Sequence, residues 1–257
     1  LQAPIDKACA KGLSKKTLQN ILGVEKAFIK YCRKAKYTQL LPENVTIPKS
    51  ARLKGRAILQ PHDIIKLFNN DTVPFRGKIA RDDYVYAYRF QVLTGLRPGE
   101  LVGLRWYDVH DKTIYIRRSI NYYGEETTGK NNNAIRSFEL SGMAYAILQK
   151  QMDLTPPEEC DSIFGISSIP NYSRRWKIFS EYNEITAVSP YEMRHTFVSV
   201  AKRLPEGIVK PLVGHARNMD TFGIYGHYFS GDNKQVATEI DNLFSSILSG
   251  NQTNSGL

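Results

Sequence analysis

The chain has 257 residues, of which 42% are apolar, enough to bury a core as one large domain or as a small one beside a larger one. No apolar run approaches the ~18–20 residues that a membrane-spanning helix needs, which argues against a membrane protein. The formal net charge of +10 favours a polyanionic partner such as nucleic acid, although charge alone fits a merely basic protein equally well. Cys9, Cys32 and Cys160 are widely spaced, form no Cys-x-x-Cys pair and read as reduced cytosolic thiols without a zinc motif. The first residues carry neither Met nor a signal pattern, so the sequence reads as a piece of a longer chain.

From about 14 to 35, Val24, Ala27, Phe28, Tyr31, Cys32 and Ala35 recur at helical spacing, and Ser14 is suited to cap that helix. Pro42 and Pro48 break the pattern, and the cations Lys49, Arg52, Lys54 and Arg56 follow without an acidic neighbour. This sets a domain boundary: 1–48 as a partial helical domain, 49–58 as a basic linker and 59–257 as the main domain. Each cation by itself fits a solvated linker; as a group on an extended segment they would track a DNA backbone.

Pro61 suits the first turn of a helix whose buried side holds Ile64, Ile65, Leu67 and Phe68. A longer helix is expected from about 81 to 93, stopped by Gly95, and Pro98 starts another that carries Glu100, Leu101, Val102 and Leu104. Ile114, Ile116 and Ile120 alternate with Tyr115, Arg117 and Ser119, which predicts a strand over 113–120. A second strand over 135–140 follows the polar stretch 124–133, so the pair forms a hairpin around Lys130. Helices resume at Ser141. In the last of them Ile240, Leu243, Phe244, Ile247 and Leu248 make an apolar stripe, suited equally to the chain's own core or to a neighbouring protomer.

Candidate chemistry lies in Ser-Pro-Tyr-Glu-Met-Arg-His-Thr-Phe (189–197), Leu-Val-Gly-His (212–215) and Ile-Tyr-Gly-His-Tyr (224–228). Ser189 and Glu192 form a capping box with Pro190 at the first helical position. Tyr191 and Arg194 then share one helix face, near an N-terminus that suits a phosphate. His195 lies about 100° round that helix and reads as structural. Gly214 fits a left-handed helix cap that projects His215 from a fixed point. Singly, each residue is more often capping, surface or core than catalytic; the specificity lies in their joint pattern with Arg97.

That pattern resembles the tyrosine recombinase (phage-type integrase) family. Thr-Gly-Leu-Arg-Pro-Gly-Glu-Leu (94–101) looks like its first box, and the segments at 189–197, 212–215 and 225–227 look like its second. Residues 130–140 are similar to its β-hairpin lysine segment. The Tyr-x-His spacing is most similar to integrases of conjugative transposons and temperate phages. The resemblance implies a mainly α fold with a small β-hairpin or sheet, a catalytic domain preceded by a truncated helical core-DNA-binding segment. It implies Arg97 and Arg194 as clamps on the two non-bridging phosphate oxygens, Lys130 as acid for the departing 5′-oxygen, and His215 as a phosphate contact that assists proton movement. Tyr225 would be the nucleophile, with Tyr228 the second candidate. Most of the family carries histidine where this chain has Tyr191, so Tyr191 is either a phosphate contact only or leaves the proton role to His215. Lys49, Arg52, Lys54, Arg56, Arg117, Arg118 and Arg136 would contact DNA.

The implied activity is site-specific recombination through a 3′-phosphotyrosyl intermediate, for integration or excision of a mobile element, with no metal and no nucleotide cofactor. The implied partners are double-stranded DNA, a tetramer assembled on it, and an accessory DNA-bending or excision protein. The implied place is the cytoplasm, on the nucleoid of a bacterium or on phage DNA. The alternatives are a non-catalytic DNA-binding protein on the same fold and a type IB topoisomerase-like enzyme that religates the original strands. Retention of Arg97, Lys130, Arg194, His215 and Tyr225 argues against the former, and the wording of the boxes against the latter.

Overall fold

The computed structural model describes residues 2–41, 45–53, 55, 57–127, 135–214 and 232–250. The chain divides into two units, Leu1–Arg56 and Ala57–Leu257. The first holds α1 (Gln2–Ala10) and α2 (Lys15–Lys34). Ser14 caps α2, its hydroxyl accepting from the Thr17 amide at 3.2 Å. The stretch after the prolines packs back on this unit. Lys15 N–H donates to the Arg52 carbonyl at 2.8 Å, the Gln2 side chain exchanges two hydrogen bonds with the Thr46 backbone, and Ala51 is buried. Leu18 and Ile29, three turns apart, form the buried side of α2. Val24, Phe28 and Tyr31 lie on the opposite side and are 70, 65 and 64% exposed.

In the second unit, α3 (Pro61–Asn69) starts at Pro61 as its sequence suggests. The buried Asp63 carboxylate accepts from the Gln60 and Thr186 amides, both at 2.9 Å. A hairpin of β1 (Thr72–Phe75) and β2 (Lys78–Arg81) was not expected. Its Arg76-Gly77 turn has both φ angles positive, the geometry of a tight two-residue hairpin. Arg81 therefore ends a strand, and the helix expected from about 81 is α4 (Val85–Thr94), preceded by Asp82, whose carboxylate accepts from the Tyr84 amide. Every residue of α4 except Tyr86 is buried, so it forms the axis of the core. A short α5 (Pro98–Val102) follows.

The strand expected over 113–120 is split. β4 (Thr113–Ile116) lies between β3 (Val109–His110) and β7 (Arg136–Glu139) in an antiparallel sheet, and β5 (Ser119–Ile120) pairs separately with β6 (Glu126–Thr127). The break falls at Arg117 and Arg118, which both turn back to the buried Asp108 carboxylate. Lys130, between β6 and β7 in sequence, lies outside the described residues. The remaining helices are α6 (Gly142–Met152), α7 (Ile169–Tyr182), α8 (Pro190–Val200), α9 (Glu206–Leu212) and α10 (Asp232–Leu248).

The stripe on α10 packs on its own unit. Ile240 and Phe244 are buried in the core, Ile247 and Leu248 rest against it, and the helix meets α3, α6 and β7. Asp241 adds a polar anchor by accepting from the first two amides of α6, Gly142 and Met143. A carboxylate at a helix N-terminus satisfies donors that have no partner within the helix.

Candidate active site

The site begins at the end of α4. Gly95 takes φ 64°, the left-handed conformation that glycine adopts without steric cost. A Cβ there would come within 2.4 Å of Phe197 Cδ1, so α8 lies directly against the turn. The buried Gln91 side chain fixes the same junction, donating to the carbonyls of Leu96 and Pro190, each at 3.0 Å, while its oxygen accepts from the Tyr172 hydroxyl at 2.8 Å. The loop bearing Arg97 and the helix bearing Arg194 are thereby held together from behind.

Arg97 is the residue before α5, and Glu100 is that helix's third residue. The Glu100 carboxylate accepts from the Arg97 amide at 2.9 Å and from its guanidinium at 2.7 Å. Arg136, on β7, places its guanidinium across both Glu100 oxygens at 3.0 and 2.9 Å. Burial pushes the Glu100 carboxyl up, but the Arg136 hydrogen bonds and charge, with Arg97, outweigh this and hold it below the usual glutamate range.

The arginines converge on the end of α9, which Gly214 closes at φ 60°. Three consecutive carbonyls each accept from a different one: Leu212 from Arg136 at 2.7 Å, Val213 from Arg194, and Gly214 from Arg97 at 3.2 Å. Cations at a helix C-terminus satisfy carbonyls that the helix leaves open. His215 is the next residue in the chain; it lies outside the described residues, as does Tyr225, with Tyr228.

Arg194 is 1% exposed and also donates to the Gly95 carbonyl at 2.9 Å. Burial, and then the charge of Arg97, lower its pKa to about 10, partly offset by Glu100, so it remains a cation at neutral pH. Three guanidiniums against one carboxylate leave the cluster with excess positive charge. An anion delivered beside it would relieve the repulsion between the arginines as well as bind to them.

In front of the cluster is a cleft of ≈ 910 Å³, whose described walls include Arg97, Arg118, Ile120, Tyr122, Tyr191 and Gly214. Tyr191, 47% exposed, stands on the rim with its ring edge-on to His195 at 5.4 Å. The capping box that starts α8 is formed as expected, with Ser189 and Glu192 each accepting from the other's amide.

Of the residues expected on DNA, Lys49 and Arg52 are exposed on the first unit, and Lys54 and Arg56 lie outside the described residues. Arg117 is partly exposed beside Asp108, whereas the Arg118 side chain is 10% exposed and bound to Asp108 and the Gly103 carbonyl. Arg136 is likewise buried, its guanidinium on Glu100 and Leu212. Each of these two side chains faces a buried carboxylate, Arg118 that of Asp108 and Arg136 that of Glu100, and Arg118 also lines the cleft. Sequence reasoning also passed over Glu100 and Gln91. Glu100 had a signal, its place at the third position of a helix opened by Pro98; Gln91 had none, since only its burial in the folded chain makes it a junction.

Among the described residues no cluster of His, Cys, Asp and Glu is arranged to hold a metal ion, and no helix is long and apolar enough to cross a membrane.

Known proteins share this fold. The integrase of the ICEBs1 element of Bacillus subtilis (strain 168) is 25% identical over 194 residues, which cover 66% of this chain and 52% of that protein. The chain thus spans about half the length of that curated relative. The Tn1549 transposon integrase, solved in complex with transposon right end DNA, aligns with a TM-score of 0.65 at 18% identity, covering 93% of this chain and 82% of that one. A lambda integrase dimer bound to a COC′ core site aligns at 0.61 with 16% identity, over 88% and 80% of the two chains. At such identities these likenesses establish the fold. The model of the phage integrase family matches residues 59–230, a span that runs from the start of α3 through the arginine cluster and beyond His215 and Tyr225, and the chain belongs to that family.

Proposed function

We propose that this chain cleaves and rejoins DNA strands at specific sites through a 3′-phosphotyrosyl intermediate, in the integration or excision of a mobile element. The observation that carries the reading is the convergence of Arg97 and Arg194 on the end of α9, one residue before His215, at the back of an open cleft. Such a cluster suits a phosphodiester whose charge grows in the pentacoordinate transition state. Arginine's forked donors match two non-bridging oxygens better than a point charge does.

In the reaction Tyr225 Oη attacks the scissile phosphorus, and the bond from phosphorus to the 5′-oxygen breaks. The phenol proton passes towards His215, and Lys130 protonates the departing 5′-oxygen, which would otherwise leave as a poor alkoxide. The product is a 3′-phosphotyrosyl bond and a free 5′-hydroxyl; attack by a 5′-hydroxyl of the same or another strand reverses the steps and restores the tyrosine. Tyr191, on the rim of the cleft, donates a hydrogen bond from its hydroxyl to the phosphate.

The substrate is double-stranded DNA, engaged by the basic segment of the first unit and by the cleft of the second. The active assembly is a tetramer formed on DNA from chains that are monomeric or weakly associated without it, joined by an accessory DNA-bending or excision protein. The enzyme acts in the cytoplasm, on nucleoid or phage DNA. Solved relatives support the DNA-bound reading: the Tn1549 integrase is solved in complex with transposon right end DNA, and lambda integrase as a tetramer bound to a Holliday junction.

A nicked suicide duplex from the element end tests this, because loss of a short fragment after cleavage blocks religation. The expected result is a detergent-stable protein–DNA adduct on Tyr225, absent in Tyr225→Phe. An adduct on Tyr228 would move the nucleophile. Binding to that duplex with no adduct would leave a DNA-binding protein and end the catalytic reading.

A further inference from the structure

Arg136 makes contacts that a DNA-binding arginine would not need. Its Nη atoms lie 3.0 and 2.9 Å from the two oxygens of Glu100, and its Nε lies 2.7 Å from the Leu212 carbonyl, with the side chain only 8% exposed. Glu100 in turn holds Arg97 through both its amide and its guanidinium. One side chain therefore ties together three segments far apart in sequence. They are β7, which follows the Lys130 segment; α5, which carries the Arg97 partner; and the end of α9, from which His215 departs.

Resting on the catalytic reading above, we infer that Arg136 is a positioning residue for strand cleavage, aligning Arg97 through Glu100 and fixing the end of α9 without touching DNA. Glu100 has two oxygens and serves two arginines. With Arg136 across both of them, the carboxylate is fixed in plane, and the Arg97 guanidinium on one of them is fixed with it. Without Arg136, Glu100 is free to swing wholly onto Arg97, neutralising the charge that the phosphate needs and turning the Arg97 fork away from the cleft. The Leu212 carbonyl would lose its donor at the same time, loosening the turn through Val213 and Gly214 on which Arg194 and Arg97 also rest. A lysine at this position restores the charge but not the planar fork that spans both oxygens.

The test compares wild type, Arg136→Lys and Arg136→Gln on the nicked suicide duplex, with affinity for the same duplex and the melting temperature measured alongside. The expected result for Arg136→Gln is a single-turnover cleavage rate lower by roughly 10²-fold, the scale on which small misplacements of catalytic groups act. Its DNA affinity stays as in wild type, and Arg136→Lys recovers part of the rate while remaining folded. Equal loss of rate and affinity would return Arg136 to the DNA surface, and an unchanged rate in both variants would also overturn the inference. A wild-type protein that forms no adduct defeats the functional reading. The positioning role is then read directly, from nitrogen-15 relaxation of the Arg97 Nε–Hε group, which is expected to become more mobile in Arg136→Lys and Arg136→Gln. Equal order in wild type and both variants overturns the inference whether or not the chain cleaves DNA.

Discussion

Two helices of this chain carry similar apolar stripes and put them to opposite uses. On α10, Ile240 and Phe244 are buried within the second unit, and Asp241 pins the helix to the start of α6. On α2, Leu18 and Ile29 are buried, but Val24, Phe28 and Tyr31 face outward. The difference follows the size of the two units. The second has α4 as a buried axis around which helices pack from several sides, whereas the first offers α2 little more than α1 and the stretch around Ala51. A helical repeat of apolar residues says that a face is available for burial; whether it is buried depends on how much chain surrounds it. The difference also explains why the arginine cluster belongs to the second unit, since guanidiniums can be held in place only where packing already fixes the segments that bear them.

The comparison is tested most strongly at Phe244. Phe244→Ala removes a fully buried ring between α10 and the core, at an expected cost of about 3–5 kcal/mol. Thermal or urea unfolding of the second unit reads this directly. A loss below about 1 kcal/mol, the size usual for an average substitution, would mean that α10 is not docked on its own chain.

Glu100 comes next. Glu100→Gln leaves Arg136 buried without its full counter-charge, and the expected cost at neutral pH is about 3 kcal/mol. Its pH dependence has a definite sign. The folded carboxyl titrates below the ordinary glutamate value of 4.5, so the folded state binds fewer protons than the unfolded one. The stability that Glu100 contributes is fully present above 4.5 and is lost as the pH falls through the lower folded value. Wild type and Glu100→Gln should therefore differ most at neutral pH and converge in acid. A constant difference down to strongly acidic pH would show that the carboxylate charge is not what matters.

Much of this site was legible because its residues sit at positions with a local rule. Ser189 and Glu192 announce a capping box, Pro61 and Pro98 announce helix starts, and Gly95 and Gly214 announce left-handed ends; the structure has each. What stayed hidden depends on contacts distant in sequence. Arg117, Arg118 and Arg136 look alike in a sequence, as cations on strands near a lysine loop. What tells them apart is the distance to Asp108 or Glu100 and how much water remains, neither of which has a local signature. The hairpin over 72–81 was missed for another reason. It is short, and Arg76-Gly77 is a weaker turn signal than Asn-Gly or Asp-Gly.

Gly95 links that legible signal to the cluster. Gly95→Ala forces a Cβ into a left-handed backbone and against the Phe197 ring at 2.4 Å, costing about 2 kcal/mol, of which roughly half is backbone and half crowding. Because the Gly95 carbonyl also accepts from Arg194, the strain should reach the site. Phe197→Leu, placed in the same background, should relieve the crowding but not the backbone term. Full additivity of the two changes in a double-mutant cycle would show that the turn and α8 are not in contact.

The smallest expected effect is at Phe28, and it carries the comparison furthest. Truncating a phenylalanine normally costs several kcal/mol when the ring is buried. Phe28 is 65% exposed, so Phe28→Ala in the free chain should change stability by no more than about 0.5 kcal/mol. The near-zero result matters because the sequence around Phe28 looks as helical and as amphipathic as that around Phe244. Equal losses at the two positions would mean that the outward face of α2 is covered within the chain itself, and the contrast between the units would dissolve. A loss only at Phe244 would instead assign stability to the second unit's core and leave α2's outer face free for contacts made outside the folded monomer.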